Sequence, residues 1–530
     1  MKIKTTVFLA SLLLSPMVVR AQFICVTNAG GLSVTITGYN GPGGTVVIPG
    51  SLNGLTVTNI GTNAFFEATS LTSVTIPNTV TNISAGALAY CNNLNSVTIP
   101  AGVISIGDGA FQDCDSLGGV TIPASVTSLG QKVLDGCTSL TNASVGNHVT
   151  SVGYEAFLYC TRLVGVTLGT NVTSIGPAAF EDCYSLGSVT LPASVTSLGI
   201  TAFYGCSALT NILLPANLTS IGQAAFAECS SLRNVVIPAG VTSIAEGAFE
   251  ECNRLSTVTI PGTVTSIGEQ AFEQCAALTN LTVPAGATSI GADAFELAGL
   301  TSITIPASVT SIGPGAFEQC ANLKAINVNA QNPDYSSING GLFNQGQTTL
   351  IQYPGGLGGN YSVPATVTSI ASSAFQNSAV LTSVTLPGSV ITLGSSAFAD
   401  CAGLTGVYFT GNPPGASPSV FSADYNATAY YLPGTTGWSS SFAIIPVEPW
   451  ILPGALMVTP GASPDWQSNG FSFTISGAAG RTFVVVEACT NLAAPVWLPL
   501  QTVALTNGSA GFNDFQWTNY PSRFYRFSKP

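Results

Sequence analysis

Leucine returns every 23 residues along most of this chain, at Leu71, Leu94, Leu117, Leu140, Leu163, Leu186, Leu209, Leu232, Leu255 and Leu278. The step to Leu300 is 22, the step to Leu323 is 23 again, and Leu381 and Leu404 resume the spacing after an interruption. Around each leucine the copies read L-x-x-V-x-I-P-x-x-V-T-S-I-G-x-x-A-F-x-x-C-x-x. No other feature restricts the fold so strongly. A unit this short cannot bury its own apolar face, so the copies must stack on one another.

The copy that begins at Leu255 assigns a task to each position. Val258 and Ile260 alternate with Thr257 and Thr259, the period of a strand with one buried face. Pro261 has no backbone donor and ends that strand. Val264 to Ile267 is a second, shorter extended piece, and Gly268 permits the turn after it. The run from Glu269 to Cys275 is expected to make one or two helical or 3-10 turns, with Ala271, Phe272 and Cys275 facing inward. The expected fold is a repeat solenoid of leucine-rich units of about 23 residues. Each unit combines short parallel strands with short helical or 3-10 segments, and a small all-β C-terminal domain follows the last one. About 14 turns at ~4.8 Å per strand give a body ~70 Å long.

The V-T-I-P…V-T-S-I-G…A-F…C pattern, which covers roughly residues 45 to 410, resembles the leucine-rich repeats of the bacterial BspA surface-protein type. That resemblance implies a secreted or surface protein, often an adhesin or a binder of host or matrix proteins. It carries no catalytic residue set.

The segments outside the repeats suggest a domain order. Residues 1–21 read as a signal peptide: Lys2 and Lys4, an apolar run from Val7 to Leu14, then Val19-Arg20-Ala21 at the cleavage position, so Gln22 is the expected mature start. Residues 22–70 read as an N-terminal β cap and a first irregular repeat, which would cover the open edge of the stack. The solenoid is expected over 71–445, with an insertion at 326–365 and a C-terminal cap at 412–445. Residues 446–465, with Pro446, Pro449, Pro453, Pro460 and Pro464, read as a Pro-rich linker. Residues 466–530 read as a small β-sandwich-like domain, with strands at 471–475, 482–486, 497–505 and 523–527, and Gly480, Asn507-Gly508 and Gly511 between them.

Charge narrows the function. Only 7% of the residues are charged, and the net charge is −12. Removal of residues 1–21 leaves 9 basic residues against 24 acidic ones, a net −15. A nucleic-acid partner, which needs a basic surface, is not expected. His148 is the single histidine and reads as a turn residue, which disfavours histidine-based metal sites and catalytic triads. No window is long and apolar enough for a transmembrane segment.

Three rows of residues follow the period. The first is Cys91, Cys114, Cys137, Cys160, Cys183, Cys206, Cys229, Cys252 and Cys275, continued by Cys320 and Cys401. Ala298 and Ser378 fill the same slot, so a buried packing position is expected ahead of disulfides or metal ligation. The second row is Glu250, Glu273, Glu296 and Glu318, with Glu181 further back, read as a solvated helical face; a divalent cation is the alternative. The third is an outward threonine row: Thr75, Thr98, Thr121, Thr167, Thr190, Thr259, Thr282, Thr304 and Thr385, interrupted by Ser144, Leu213, Val236, Asn327 and Tyr408. Leu213 and Val236, flanked by Asn211, Arg233 and Asn234, have the composition of an interaction hot spot: an apolar pair rimmed by polar groups.

The leading expectation is a secreted or cell-surface protein that acts in protein or glycan binding or adhesion. Its partner would be an extracellular protein or polysaccharide, with no cofactor, no catalytic residues and no metal. A structural envelope or extracellular-matrix component without a discrete ligand is the alternative. A glycan-active enzyme is third, because no acid–base pair stands out among the carboxylates.

Overall fold

The computed structural model describes residues 22–432, 434–450, 457–460, 471–476, 483–490, 497–504, 510–514 and 524–528. The expected signal peptide lies outside the described residues. The repeats wind into a β-solenoid of roughly 17 turns of about 23 residues. The count exceeds 14 because the N-terminal segment and the insertion contribute strands to the same ladders.

Each regular turn lays down two strands. The first strands stack in parallel register: Gly119–Thr121, Asn142–Ser144, Gly165–Thr167, Ser188–Thr190, Asn211–Leu213, Asn234–Val236 and Thr257–Thr259 form one seven-stranded sheet. The register is locked by the repeat, with Val166 opposite Val189 and Val235 opposite Val258. The second strands are two residues long, and Ser151–Val152, Ser174–Ile175, Ser197–Leu198 and Ser220–Ile221 stack likewise. Between the two strands, the Val264 N–H donates to the Pro261 carbonyl at 3.1 Å, so proline ends one strand and opens a turn.

The segment after the second strand differs from the expected helical or 3-10 turns. Over Glu269–Cys275 it is a chain of hydrogen-bonded turns, and the one 3-10 helix among the described residues is Pro418–Phe421. The cause is backbone conformation. Gln270 and Gln274 both hold positive φ, at 54° and 56°, which a right-handed helix cannot contain. Their N–H groups, and that of Phe272 between them, point along the solenoid axis. These donate to Ala292, Ala294 and Glu296 of the next turn at 2.8–2.9 Å, while Glu273 and Cys275 close local turns on Gln270 and Phe272. The segment is thus a third inter-turn ladder. Gly268 serves close approach: a Cβ there would lie 2.7 Å from the backbone carbon of Ala245 in the preceding turn.

The core is a column of like on like. Phe157, Phe180, Phe203, Phe226, Phe249, Phe272, Phe295 and Phe317 stack with centroids 5.1–5.7 Å apart and planes within 8°. The repeat cysteines are buried free thiols beside this column. Cys252 and Cys275 donate to the carbonyls of Phe226 and Phe249 at 3.1 and 3.2 Å, and burial pushes both thiols well above their ordinary pKa.

At the N-terminus Phe23–Thr27 pairs antiparallel with Ser33–Tyr39, which pairs in parallel with Leu55–Ile60. Within the insertion, Tyr335–Ile338, Gly341–Asn344 and Thr349–Gln352 form an antiparallel meander, and the last of these rejoins the ladder beside Ser369–Ile370. There the buried core divides into two clusters, one from Phe23 to Leu342 and the other from Phe343 to Ile445.

Two stretches of the segment expected to be a linker are strands. Ile445–Pro449 pairs with Thr428–Tyr431 of the solenoid, and Met457–Pro460 pairs with Phe471–Ser476. Met457–Pro460 is an edge strand, where proline is tolerated. Beyond it lie two three-stranded antiparallel sheets, which include Ala510–Asp514, expected to be a turn around Gly511. Phe512 and Asp514 alternate inward there, and that burial outweighs the glycine signal.

Candidate functional site

The outward positions of the first strands form one continuous face. Every second residue of these strands points away from the core, so Thr98, Thr121, Thr167, Thr190, Thr259, Thr282 and Thr304 stand exposed in a line. Parallel pairing brings the interruption of that line together. Leu213 is the register partner of Thr190, Asn211 pairs with Asn234, and Val236 pairs with Thr259. Leu213 and Val236 are 77% and 62% exposed, against a core in which their inward neighbours Ile212 and Val235 are buried. Arg233, Asn211 and Asn234 are exposed beside them. The Arg233 backbone is fixed by its carbonyl, which accepts from the Ser256 and Thr257 N–H groups at 2.9 and 3.2 Å. All five candidate residues therefore share one patch.

Two shallow troughs flank that patch on the same face. One, of about 620 Å³, runs over Thr98, Gly119, Thr121, Asn142, Ser144, Gly165, Thr167, Ser188 and Thr190. The other, of about 440 Å³, is lined by Asn280, Thr282, Ser302, Thr304 and Asn329 among others. Hydroxyls and amides line both, between aliphatic side chains such as Val120 and Val166 in the first and Leu281 and Ile303 in the second, and no lining residue is charged. Such a surface offers hydrogen bonds without charge and suits docking of an extended ligand better than chemistry.

The glutamate row lies on the turn ladder rather than on a helical face. Burial, then neighbouring carboxylates, raises Glu250 and Glu296 above the ordinary range and pushes Glu318 up to about 7. Amides relieve part of the crowding one turn away: Gln274 donates to Glu251 at 3.2 Å, Gln319 to Glu296 at 2.7 Å and Gln223 to Glu246 at 3.0 Å. Among the described residues no three His, Cys, Asp or Glu side chains come together as a metal-binding set. No helix among them is long and apolar enough to cross a membrane.

The sequence reading passed over the far end of the first-strand face. Tyr408 is the register partner of Thr385, Tyr430 of Tyr408, and Glu448 of Tyr430. The sequence signs were Tyr408, as one more break in the threonine row, and Tyr430, among the aromatics of the C-terminal cap; the spacing of 22 hid that the two rings meet.

The family model described as BspA type leucine rich repeat region (6 copies) matches residues 58–187, 150–276, 242–358 and 359–443. A leucine-rich repeat protein from Bacteroides ovatus ATCC 8483 shares 22% identity at a TM-score of 0.51, covering 74% of this chain and 93% of its own. A leucine rich cell surface protein from Faecalibacterium prausnitzii A2-165 shares 23% identity at a TM-score of 0.37, covering 82% of this chain and 94% of its own. No curated protein matches the chain. With the family pattern running from residue 58 to 443 over a solenoid of stacked short strands, the chain belongs to the BspA type leucine-rich repeat family.

Proposed function

We propose that this is an exported, surface-acting protein that binds an extracellular protein partner through its first-strand face, with Leu213 and Val236 as the centre of contact. The observation that carries the reading is their exposure of 77% and 62% on adjacent strands, where the turns on either side carry Thr190 and Thr259 in the same position. Exposed apolar side chains rimmed by amides and one arginine supply the apolar centre and polar rim of a protein interface. The stacked strands hold them rigid before any partner arrives, which lowers the entropic cost of association. Family membership supports a binding role, and the charged N-terminal start with its short apolar run supports export.

The test is the double substitution Leu213→Thr with Val236→Thr, which restores the threonine row and leaves the inward residues untouched. Mature protein would be used to capture partners from its native surroundings. The variant should bind the captured partner at least tenfold more weakly, about 1.4 kcal/mol or more, at unchanged thermal stability. Unchanged affinity would reject this patch.

A further inference from the structure

We propose that the C-terminal end of the first-strand face is a separate subsite for an uncharged glycan, built on an aromatic platform of Tyr408, Tyr430 and Trp450. The Tyr408 and Tyr430 rings stack across adjacent strands, centroids 4.9 Å apart and planes 14° from parallel. Trp450 packs against Tyr408 at 5.0 Å, tilted by 49°. All three are half-buried, so each ring keeps an open part on an outward face. A folded core does not need them there: beneath them Val407 and Ala429 already fill the inward positions, both fully buried.

The platform is shaped by a glycine. A Cβ at Gly406 would lie 2.9 Å from Cε2 of the Tyr408 ring and 3.0 Å from its hydroxyl oxygen. The ring therefore lies down along its own strand over position 406. The register partner of Gly406 is Ser383, so serine is the residue the neighbouring turn carries in this slot.

The surroundings select the ligand. On the next strands the outward groups are Asn360, Thr382, Ser383 and Thr385, and the Asn360 carbonyl oxygen gathers Thr382 and Ser383 hydroxyls at 3.0 and 2.8 Å. Glu448 is exposed beside Tyr430. The five strands of this surface, Gly359–Ser362, Leu381–Leu386, Gly406–Phe409, Thr428–Tyr431 and Ile445–Pro449, contain no Lys or Arg. The open parts of these stacked rings, beside hydroxyls, an amide and one carboxylate, match the apolar C–H groups and hydroxyls of a neutral sugar. The same carboxylate, with no cation on these strands to offset it, repels uronates, sulfates and phosphates.

This inference shares with the proposed function only the premise that ligands dock on the first-strand face. The experiment measures retention of the mature full chain on cellulose, chitin, mannan and xylan, with polygalacturonate as the anionic comparison. Intrinsic tryptophan fluorescence is followed during titration with the matching oligosaccharides. Retention on at least one neutral polymer is expected, with none on polygalacturonate. Tyr408→Thr with Tyr430→Thr should weaken retention at least tenfold, and so should Gly406→Ser, which keeps both tyrosines and displaces one ring. Leu213→Thr with Val236→Thr should retain as wild type. If the tyrosine double variant fails to fold, Gly406→Ser carries the test. Absence of retention on every neutral polymer, or retention unchanged by Gly406→Ser, overturns the glycan subsite and leaves the protein-binding patch standing. Loss in the Leu213/Val236 variant alone overturns it as well.

Discussion

Single residues here answer to their position in the stack more than to their own preferences. Two positions per turn require positive φ, and the first is occupied by Gly86, Gly109, Gly247 and Gly315 in some turns but by Thr201, at φ 50°, in another. The left-handed region costs an L-residue about 1–2 kcal/mol, and more for a β-branched side chain. Glycine gives back part of that gain through the freer unfolded chain. Thr201→Gly should therefore stabilise the protein by about 1 kcal/mol, read as a shift of the urea midpoint at unchanged slope. A lower midpoint would mean that the Thr201 side chain makes contacts worth more than its strain. Ionisable residues obey the same rule of position. Asp424 falls 23 residues after Cys401, in the cysteine slot, and is 4% exposed. One of its carboxylate oxygens accepts the Cys401 N–H at 2.7 Å, and burial pushes the group up to about 7. Glu318, crowded by Glu296 and Asp293 on top of its burial, also rises to about 7. Both folded values lie above the unfolded carboxyl value of about 4. The folded state thus holds protons that the unfolded chain releases, and the associated stability is full below about pH 4 and lost as pH rises through 7. Thermal midpoints should fall between pH 5 and pH 8. Asp424→Asn with Glu318→Gln should flatten that fall and raise the midpoint at pH 8; a wild-type midpoint that climbs over this interval would contradict the assignment.

At the scale of the element, the repeat period was enough to read the two strands, the proline break and the inward set of Val258, Ala271, Phe272 and Cys275. It was not enough to read the conformation between Glu269 and Cys275. Inward residues at i, i+1 and i+4 fit a helical turn and a chain of β-turns equally well. What decides between them is the set of hydrogen bonds from Gln270, Phe272 and Gln274 to residues 22 positions later, which no local pattern contains. The candidate patch was legible for the complementary reason: parallel register turns a 23-residue spacing into adjacency, so Asn211 and Asn234 had to meet. The tyrosine platform escaped because Tyr430 stands 22 residues after Tyr408, in a turn that lacks the repeat leucine. Ala510–Asp514 escaped because Gly511 reads as a turn until Phe512 is seen to be buried. The element that gains most from stacking is the phenylalanine column. Phe249 is fully buried between Phe226 and Phe272, at 5.5 Å from each. Phe249→Ala should cost about 3–5 kcal/mol, as the truncation leaves a cavity that neighbours cannot fill. Because contacts reach only the adjacent turns, limited proteolysis of this variant should cut near residue 249 before it cuts distant turns. Cleavage spread evenly along the chain would argue for global rather than local opening.

The whole molecule is a one-dimensional object with marked ends. Short antiparallel strands stand at both ends, with Phe23–Thr27 on Ser33–Tyr39 and Ser441–Phe442 on Ile445–Pro449, while Gly44–Val47 starts the first-strand ladder with Leu71–Thr75 as its one partner among the described residues. Between the ends, the insertion divides the core at Leu342 and Phe343, which gives the stack one natural point of parting. The ladders that bind each turn only to its neighbours also set how such a body answers force. Pulled by its ends, it has no central core to rupture at once. It sheds turns singly from the weaker end, and each release of 23 residues adds about 80 Å of slack. A partner that spans several strands of the first-strand face staples those turns together and delays their release. For a protein held at one end and loaded at the other, the occupied segment becomes the stiff part of the tether and the empty turns its extensible reserve.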